Sequence, residues 1–219
     1  MLIPVKTARY RKNRFERRLC MEELRDKNGL TEKEFLATYD ASKYDRPSVT
    51  VDIILIKDGR VLLIRRGGHP CLGKLAFPGG FVEMNEDVYS AAMRELHEET
   101  GLKVRALRQL NVASKPDRDP RTRIITVPFL ADVEDMSALS AGDDAMAASL
   151  YNLSYKKMEM RGVTIFEITV SNATERHTFK VSRSFDKNGV ISDPVYKAVG
   201  ENALAGDHAE ILAMALDNM

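Results

Sequence analysis

The sequence predicts an α/β fold, a sandwich with a mixed sheet, preceded by an N-terminal helical extension and ended by a C-terminal hairpin and helix. Two observations carry that expectation. Segments rich in β-branched residues, with apolar and polar positions alternating, flank one segment of helical periodicity, and a second helical pattern closes the chain. At 219 residues, 44% hydrophobic and 30% charged, the chain has ample material for an autonomous core. Its 33 basic and 32 acidic residues leave a formal net charge of +1, which gives no global reason to expect nucleic acid as a partner. No apolar run approaches membrane-spanning length and no charged-then-apolar leader opens the chain, so a cytoplasmic protein without a membrane partner is expected. Cys20 and Cys71 can form neither a disulfide framework nor a metal knuckle and are read as small, buried or half-buried residues.

Residues 1–45 form the extension. A helix is expected over about residues 13–27, stopped by Asn28-Gly29, and Thr31 then opens TEKEF, a capping-box pattern that starts a short second helix. The basic run within residues 1–18 reads either as a nucleic-acid arm or as a solvated helix or subunit contact. The second reading is favoured because Glu22, Glu23 and Asp26 follow it directly.

Arg46-Pro47 marks the boundary of the second domain, 46–219. SVTVDIILI and RVLLIRR read as strands joined by a hairpin turn at Lys57-Asp58-Gly59. Leu75-Ala76-Phe77 is short and extended, and Pro78-Gly79-Gly80 turns the chain into a helix over about 87–99 that Gly101 stops. LKVRALRQLNVA and IITVPFLADV read as strands around the loop SKPDRDPRTR. GVTIFEITV and HTFKVSRSF flank SNATER as a hairpin, read as a sheet extension or a homodimer contact. Asp207 is placed to cap a last helix, with Ile211, Leu212, Ala215 and Leu216 facing inward. His177 and His208 are read as structural or solvent-exposed.

The central helix raises a physical question. With Glu95 at zero on a helical wheel, Glu98 falls near about −60° and Glu99 near about +40°, so all three share one wedge. Leu96, Ala92, Tyr89 and Met93 fill the neighbouring arc, which puts the acids beside the buried stripe. Like charges at these spacings repel, and the helix C-terminus further disfavours anions. A hard divalent cation would reverse that penalty, and Mg²⁺ favours carboxylate oxygens. Gly79 and Gly80 permit close backbone approach, which could bring a carbonyl towards the same ion. The competing reading is a solvated acidic face held by Arg94–Glu98 pairing.

The spacing is Gly80, five residues, Glu86, seven residues, Arg94-Glu95-Leu96, one residue, Glu98-Glu99, one residue, Gly101-Leu102. It resembles, at every specified position, the signature of the Nudix hydrolases. That resemblance implies a Nudix-type α/β/α sandwich that hydrolyses a nucleoside diphosphate linked to another group, with Mg²⁺ or Mn²⁺. It implies Glu95, Glu98 and Glu99 as metal ligands, the Gly79 carbonyl as a fourth contact, Arg94 as the group that orients a carboxylate, and Glu86 as a support for the loop–helix geometry. A further acid from a later loop is also implied. Asp143 and Asp144 are the candidates, with Asp144 preferred, against the reading that they cap a helix.

SKPDRDPRTR gathers Lys115, Arg118, Arg121 and Arg123 around Asp117 and Asp119. Guanidinium groups suit phosphate, and Asp can accept from ribose hydroxyls; a solvated loop with internal ion pairs is the alternative. The P-x-R-D-P-R pattern, together with Tyr44-Asp45-Arg46-Pro47-Ser48, resembles ADP-ribose pyrophosphatases and the related ADP-ribose-sensing Nudix regulators. Under that resemblance ADP-ribose is cleaved to AMP and ribose 5-phosphate. Arg65 and Arg66 are further candidates to meet phosphates. The Trp that often precedes the P-G-G turn in this group is absent, so Phe81, Phe77 or Phe129 would have to stack on the base. Two rivals stand beside this reading: a pyrophosphatase for oxidised or noncanonical nucleoside triphosphates, and a ligand-sensing transcriptional regulator.

Overall fold

Hydrophobic alternation along the first long strand decides how the layers stack. In the computed structural model, residues 24–139, 146–185 and 192–219 are described, and the chain divides into two compact units at Asp45/Arg46. In the first unit, Leu24–Lys27 is not helical, and the rest of the helix expected over 13–27 lies outside the described residues, as does Cys20. The second expected helix is present as α1, Glu32–Thr38. Its capping box is complete: Thr31 Oγ1 accepts from the Glu34 N–H at 3.2 Å, and Glu34 Oε2 accepts from the Thr31 N–H at 2.8 Å.

The second unit begins with β1 (Ser48–Lys57) and β2 (Arg60–Arg65), joined by Asp58-Gly59, where φ is 50° and 69°. Positive φ at both residues is what a tight hairpin turn of this kind demands. β3 (Leu75–Ala76), β4 (Gly79–Phe81) and α2 (Val88–Thr100) follow, then β5 (Val104–Gln109) and β6 (Ile124–Val133). β7 (Met146–Met160), β8 (Val163–Ser171), β9 (Arg176–Phe185), β10 (Pro194–Val199) and α3 (His208–Asp217) complete the unit. The main path of the sheet runs β10-β9-β8-β7-β2-β1-β6-β5, with β3 paired to β2 and β4 to β1. β1 and β6 are parallel, and the other pairings between named strands are antiparallel, so the sheet is mixed as expected. β4, β7 and β10 are additions to the strands read from the sequence.

Period-two alternation sends successive side chains to opposite faces. Val51, Ile53 and Leu55 join Ala92 and Leu96 in the core under α2, whereas Ile54 joins Leu212 and Ala215 in the core under α3. Each fully buried side chain of this size contributes about 1.5–3 kcal/mol of burial. The inward set predicted for the last helix is buried, with Ile211, Leu212, Ala215 and Leu216 all in that second core. No described helix is long and apolar enough to cross a membrane.

Candidate active site

α2 begins where Asp87 accepts from the Tyr89 and Ser90 N–H groups, both at 2.9 Å, and ends where Gly101 turns left-handed at φ 72°. Such a cap contributes about 1 kcal/mol, and the end conformation suits glycine. The buried stripe is Ala91, Ala92, Leu96 and Thr100. It is rotated from the predicted arc, because Tyr89 and Met93 are exposed and the small alanines face the sheet. Tyr89 instead meets Phe129 edge-on, with centroids 4.9 Å apart.

The rotation brings the acidic wedge against the glycine turn. Glu99 accepts from the Gly79 N–H at 3.0 Å. Burial pushes its carboxyl up to about 7, against that hydrogen bond, and the charges of Glu95 and Asp52 push the same way. Glu95 is also raised by burial, although Arg94 donates to it at 2.7 Å. A Cβ built on Gly80 would lie 2.6 Å from Glu95 Oε2 and closer still to Oε1, so any larger residue would displace that carboxylate. Glu98 is the open member, with its side chain 57% exposed and held by Arg94 at 3.1 Å.

Arg94 ties this group together. It donates to Glu86 through Nε and Nη2, to Glu95 and Glu98 through Nη1, and to the Phe81 carbonyl at 3.0 Å. Those bonds, the Glu86 pair first, raise the guanidinium pKa and hold the Glu86 carboxyl below its usual range. Glu86 also accepts from the Glu83 N–H at 2.9 Å, which fixes the loop ahead of the helix.

Among the described residues no three His, Cys, Asp or Glu side chains are grouped as a finished metal cage. Arg94 holds Glu95 and Glu98, and Gly79 holds Glu99, so the wedge is adjacent on the helix without converging on one point. The donor set nevertheless fits a hard divalent cation. It offers carboxylate oxygens, two of them on groups whose ionisation burial opposes, beside a glycine that a Cβ would close. Convergence would require Glu98 to leave Arg94, a movement that its exposure permits.

Beyond Gly79 and Gly80 opens a cavity of about 330 Å³. The three glutamates border it through that turn and are not part of its lining. Of the residues predicted to meet substrate, Arg66, Phe81, Arg118, Asp119 and Arg121 line it. Phe81 is 48% exposed, with the Arg121 guanidinium 5.8 Å from its ring centroid, whereas Phe77 and Phe129 are buried in the core and cannot stack on a ligand. Arg65, the remaining candidate, lies apart from them. It is not in the cavity lining; its guanidinium meets Glu175, Tyr151 and the Gly73 carbonyl. Arg66, the first residue after β2, lines the cavity, and Arg65, the last residue of the strand, does not. Asp143 and Asp144 lie outside the described residues.

The contacts that gather Asp52, Arg118, Asp207 and His208 in the cavity wall were not read from the sequence. Asp52 on β1 accepts from Thr126 Oγ1 at 2.6 Å and lies 3.5 Å from His208 Nε2. His208 stacks on Phe77 at 5.1 Å, and its Nδ1 accepts from the Phe77 N–H at 3.0 Å, which places the ring proton on Nε2, facing Asp52. Asp207 occupies the N-cap position of α3 but makes no capping bond, because its carboxylate takes Arg118 at 2.7 and 2.9 Å. The nearest sequence signal was the apolar alternation of SVTVDIILI, which an Asp interrupts.

The sequence model of the NUDIX domain family matches residues 46–157. The ADP-ribose pyrophosphatase of Methanocaldococcus jannaschii is 44% identical over 125 residues, 56% of this chain and 73% of that protein. The ADPR responsive transcriptional repressor NtrR of Acinetobacter baylyi is 36% identical over 110 residues, 48% of this chain but only 44% of the repressor. The crystal structure of a MutT/nudix family protein from Enterococcus faecalis superposes with a TM-score of 0.65 at 34% identity, covering 86% of this chain and 69% of that one.

Proposed function

The chain belongs to the NUDIX domain family, and from that premise we propose that it hydrolyses ADP-ribose to AMP and ribose 5-phosphate. The observation that carries the substrate is the 44% identity to an ADP-ribose pyrophosphatase over 73% of that protein's length. The geometry supports it: a carboxylate wedge abuts a glycine turn, and on the far side of that turn lies a cavity with arginines and one exposed aromatic ring.

In this reading Glu95, Glu98 and Glu99, with the Gly79 carbonyl, hold a divalent cation, Mg²⁺ or Mn²⁺. When bound, such a cation supplies neutralisation of the diphosphate oxygens and acidification of a water for in-line attack. Arg94 orients Glu95 and is itself anchored by Glu86. Without the cation, burial raises the Glu99 carboxyl to about 7, so binding of a cation near pH 7 would displace a proton from it. Arg66 meets the diphosphate, and Phe81 with Arg121 offers a stacking surface for the base.

A second reading, an ADP-ribose-sensing regulator, is favoured by the identity to NtrR. After Tyr151 the described residues form the rest of β7, then β8–β10 and α3, with no basic recognition helix among them. The test is a panel of ADP-ribose, NADH, diadenosine polyphosphates and 8-oxo-dGTP with Mg²⁺. ADP-ribose should give AMP and ribose 5-phosphate with the highest kcat/KM. A preference for 8-oxo-dGTP would move the assignment to a nucleotide-sanitising pyrophosphatase. Salt-dependent binding to upstream DNA without turnover would move it to a regulator.

A further inference from the structure

Three guanidinium groups line the cavity, and their surroundings differ. Arg121 is paired with Asp119 at 2.8 and 3.0 Å. Arg118 is paired through two nitrogens with Asp207, and its Nη2 lies 3.9 Å from Asp52. Arg66 donates through Nε to the Pro70 carbonyl at 2.8 Å and is ion-paired with no carboxylate among the described residues.

The sequence suggests phosphate for every arginine of the 114–123 loop, and the charges around Arg118 argue otherwise. One guanidinium faces two carboxylates there, so an incoming phosphate would meet a site already more than neutralised. What Arg118 retains is donors. Its Nη1 has no hydrogen-bond partner among the described residues. The one buried side-chain nitrogen or oxygen left without a partner among them is Arg183 Nε, so Arg118 Nη1 is not sealed off from solvent. The side chain is only 7% exposed and lines the cavity, so that residual surface faces the ligand space.

Asp207 shows how the arrangement is held. Asp at an N-cap ordinarily accepts from the first N–H groups of its helix, yet here the carboxylate is turned onto a loop arginine far away in sequence. We propose that Asp207 is a positioning residue for substrate specificity: it neutralises and fixes Arg118 so that Nη1 donates to an uncharged acceptor of the sugar or base, leaving the diphosphate to Arg66. His208 and Thr126 hold Asp52 behind the same guanidinium. The start of α3 is thereby part of the recognition wall.

This rests on the hydrolysis reading above, and the test separates the two. Asn is as good an N-cap as Asp and nearly isosteric, so D207N removes the charge pair without removing a capping group. With ADP-ribose and Mg²⁺, D207N should raise KM on the order of tenfold and leave kcat within about twofold, the signature of lost binding without lost chemistry. The dependence of KM on salt should be unchanged. R66Q should instead raise KM and flatten its salt dependence.

Because D207N strands a buried guanidinium, thermal unfolding is followed in parallel, and D207N/R118Q, which leaves no unpaired charge, provides a second route. Its KM should match that of D207N, since both remove one element. An unchanged KM in both variants would reduce the pair to a structural tie. A lower KM in D207N with steeper salt dependence would make Arg118 a phosphate contact. Either result overturns the inference. If the wild-type chain leaves ADP-ribose intact, the substrate reading fails, and the same comparison on the nucleoside diphosphate derivative it does hydrolyse decides this one.

Discussion

Two clusters of ionisable side chains meet the glycine turn, one lining the cavity and one bordering it from α2, and they treat charge in opposite ways. On the α3 side, Asp207 accepts from Arg118 and Asp52 accepts from Thr126, with His208 at 3.5 Å and Arg118 at 3.9 Å from Asp52, so each carboxylate has a donor. On the α2 side, Glu95 and Glu99 are pushed towards neutrality by burial, and Arg94 is shared among Glu86, Glu95 and Glu98. A closed network fixes shape and suits recognition; an under-compensated one has capacity left for a cation and suits chemistry. Under the proposed function, that difference assigns the reaction to α2 and the selection of substrate to α3.

The strongest way to break that contrast is to neutralise the open wall. E98Q and E99Q should each lower kcat for ADP-ribose by about 10²–10⁴-fold, as loss of a cation ligand does, with circular dichroism showing the fold retained. Activity within threefold of wild type in both would remove α2 from the chemistry. Next in size is G80A. Its Cβ would fall 2.6 Å from Glu95 Oε2, so turnover should drop at least about tenfold as the carboxylate is displaced. G59A is the control: its Cβ meets open space at φ 69°, so it should cost about 1 kcal/mol of stability and leave turnover alone.

A third test reads the charge imbalance without substrate. The folded pKa of Glu99, about 7, lies above its ordinary value of 4.5. Its contribution to metal-free stability is therefore full below pH 4.5 and lost as pH rises towards 7. Between those limits the loss is on the order of 2 kcal/mol. Urea unfolding across that range should show a downward slope that E99Q reduces, and an identical slope in the variant would contradict the burial argument. The smallest effect expected separates chain neighbours at the end of β2: R66Q should raise KM severalfold, whereas R65Q should change unfolding by about 1 kcal/mol and KM by less than twofold.

Local signals made α2 readable in the sequence, because Asp87, the glutamate spacing and Gly101 are all close in the chain. The β1–β2 turn was legible for the same reason. β7 was not, since MAASLYNLSYKKMEM mixes alanines and adjacent lysines into a strand whose stability comes from pairing with both β2 and β8. β10 is an edge strand paired with β9, and mostly exposed or half-buried side chains give it a weak pattern. The α3 wall was hidden for a different reason. Asp52, Arg118 and His208 meet because parallel pairing of β1 with β6 and docking of α3 bring distant segments together, and no spacing rule reports that. Asp207 looked like a cap because its position is one; the competing partner was out of local view.

Titration of Mn²⁺ into the metal-free protein, followed calorimetrically and by electron paramagnetic resonance, tests the account at its centre. Wild-type protein should bind Mn²⁺ with release of protons near pH 7, and E98Q and E99Q should each weaken that binding at least about tenfold. Equal Mn²⁺ affinity in all three proteins would contradict a cation site on the α2 carboxylates.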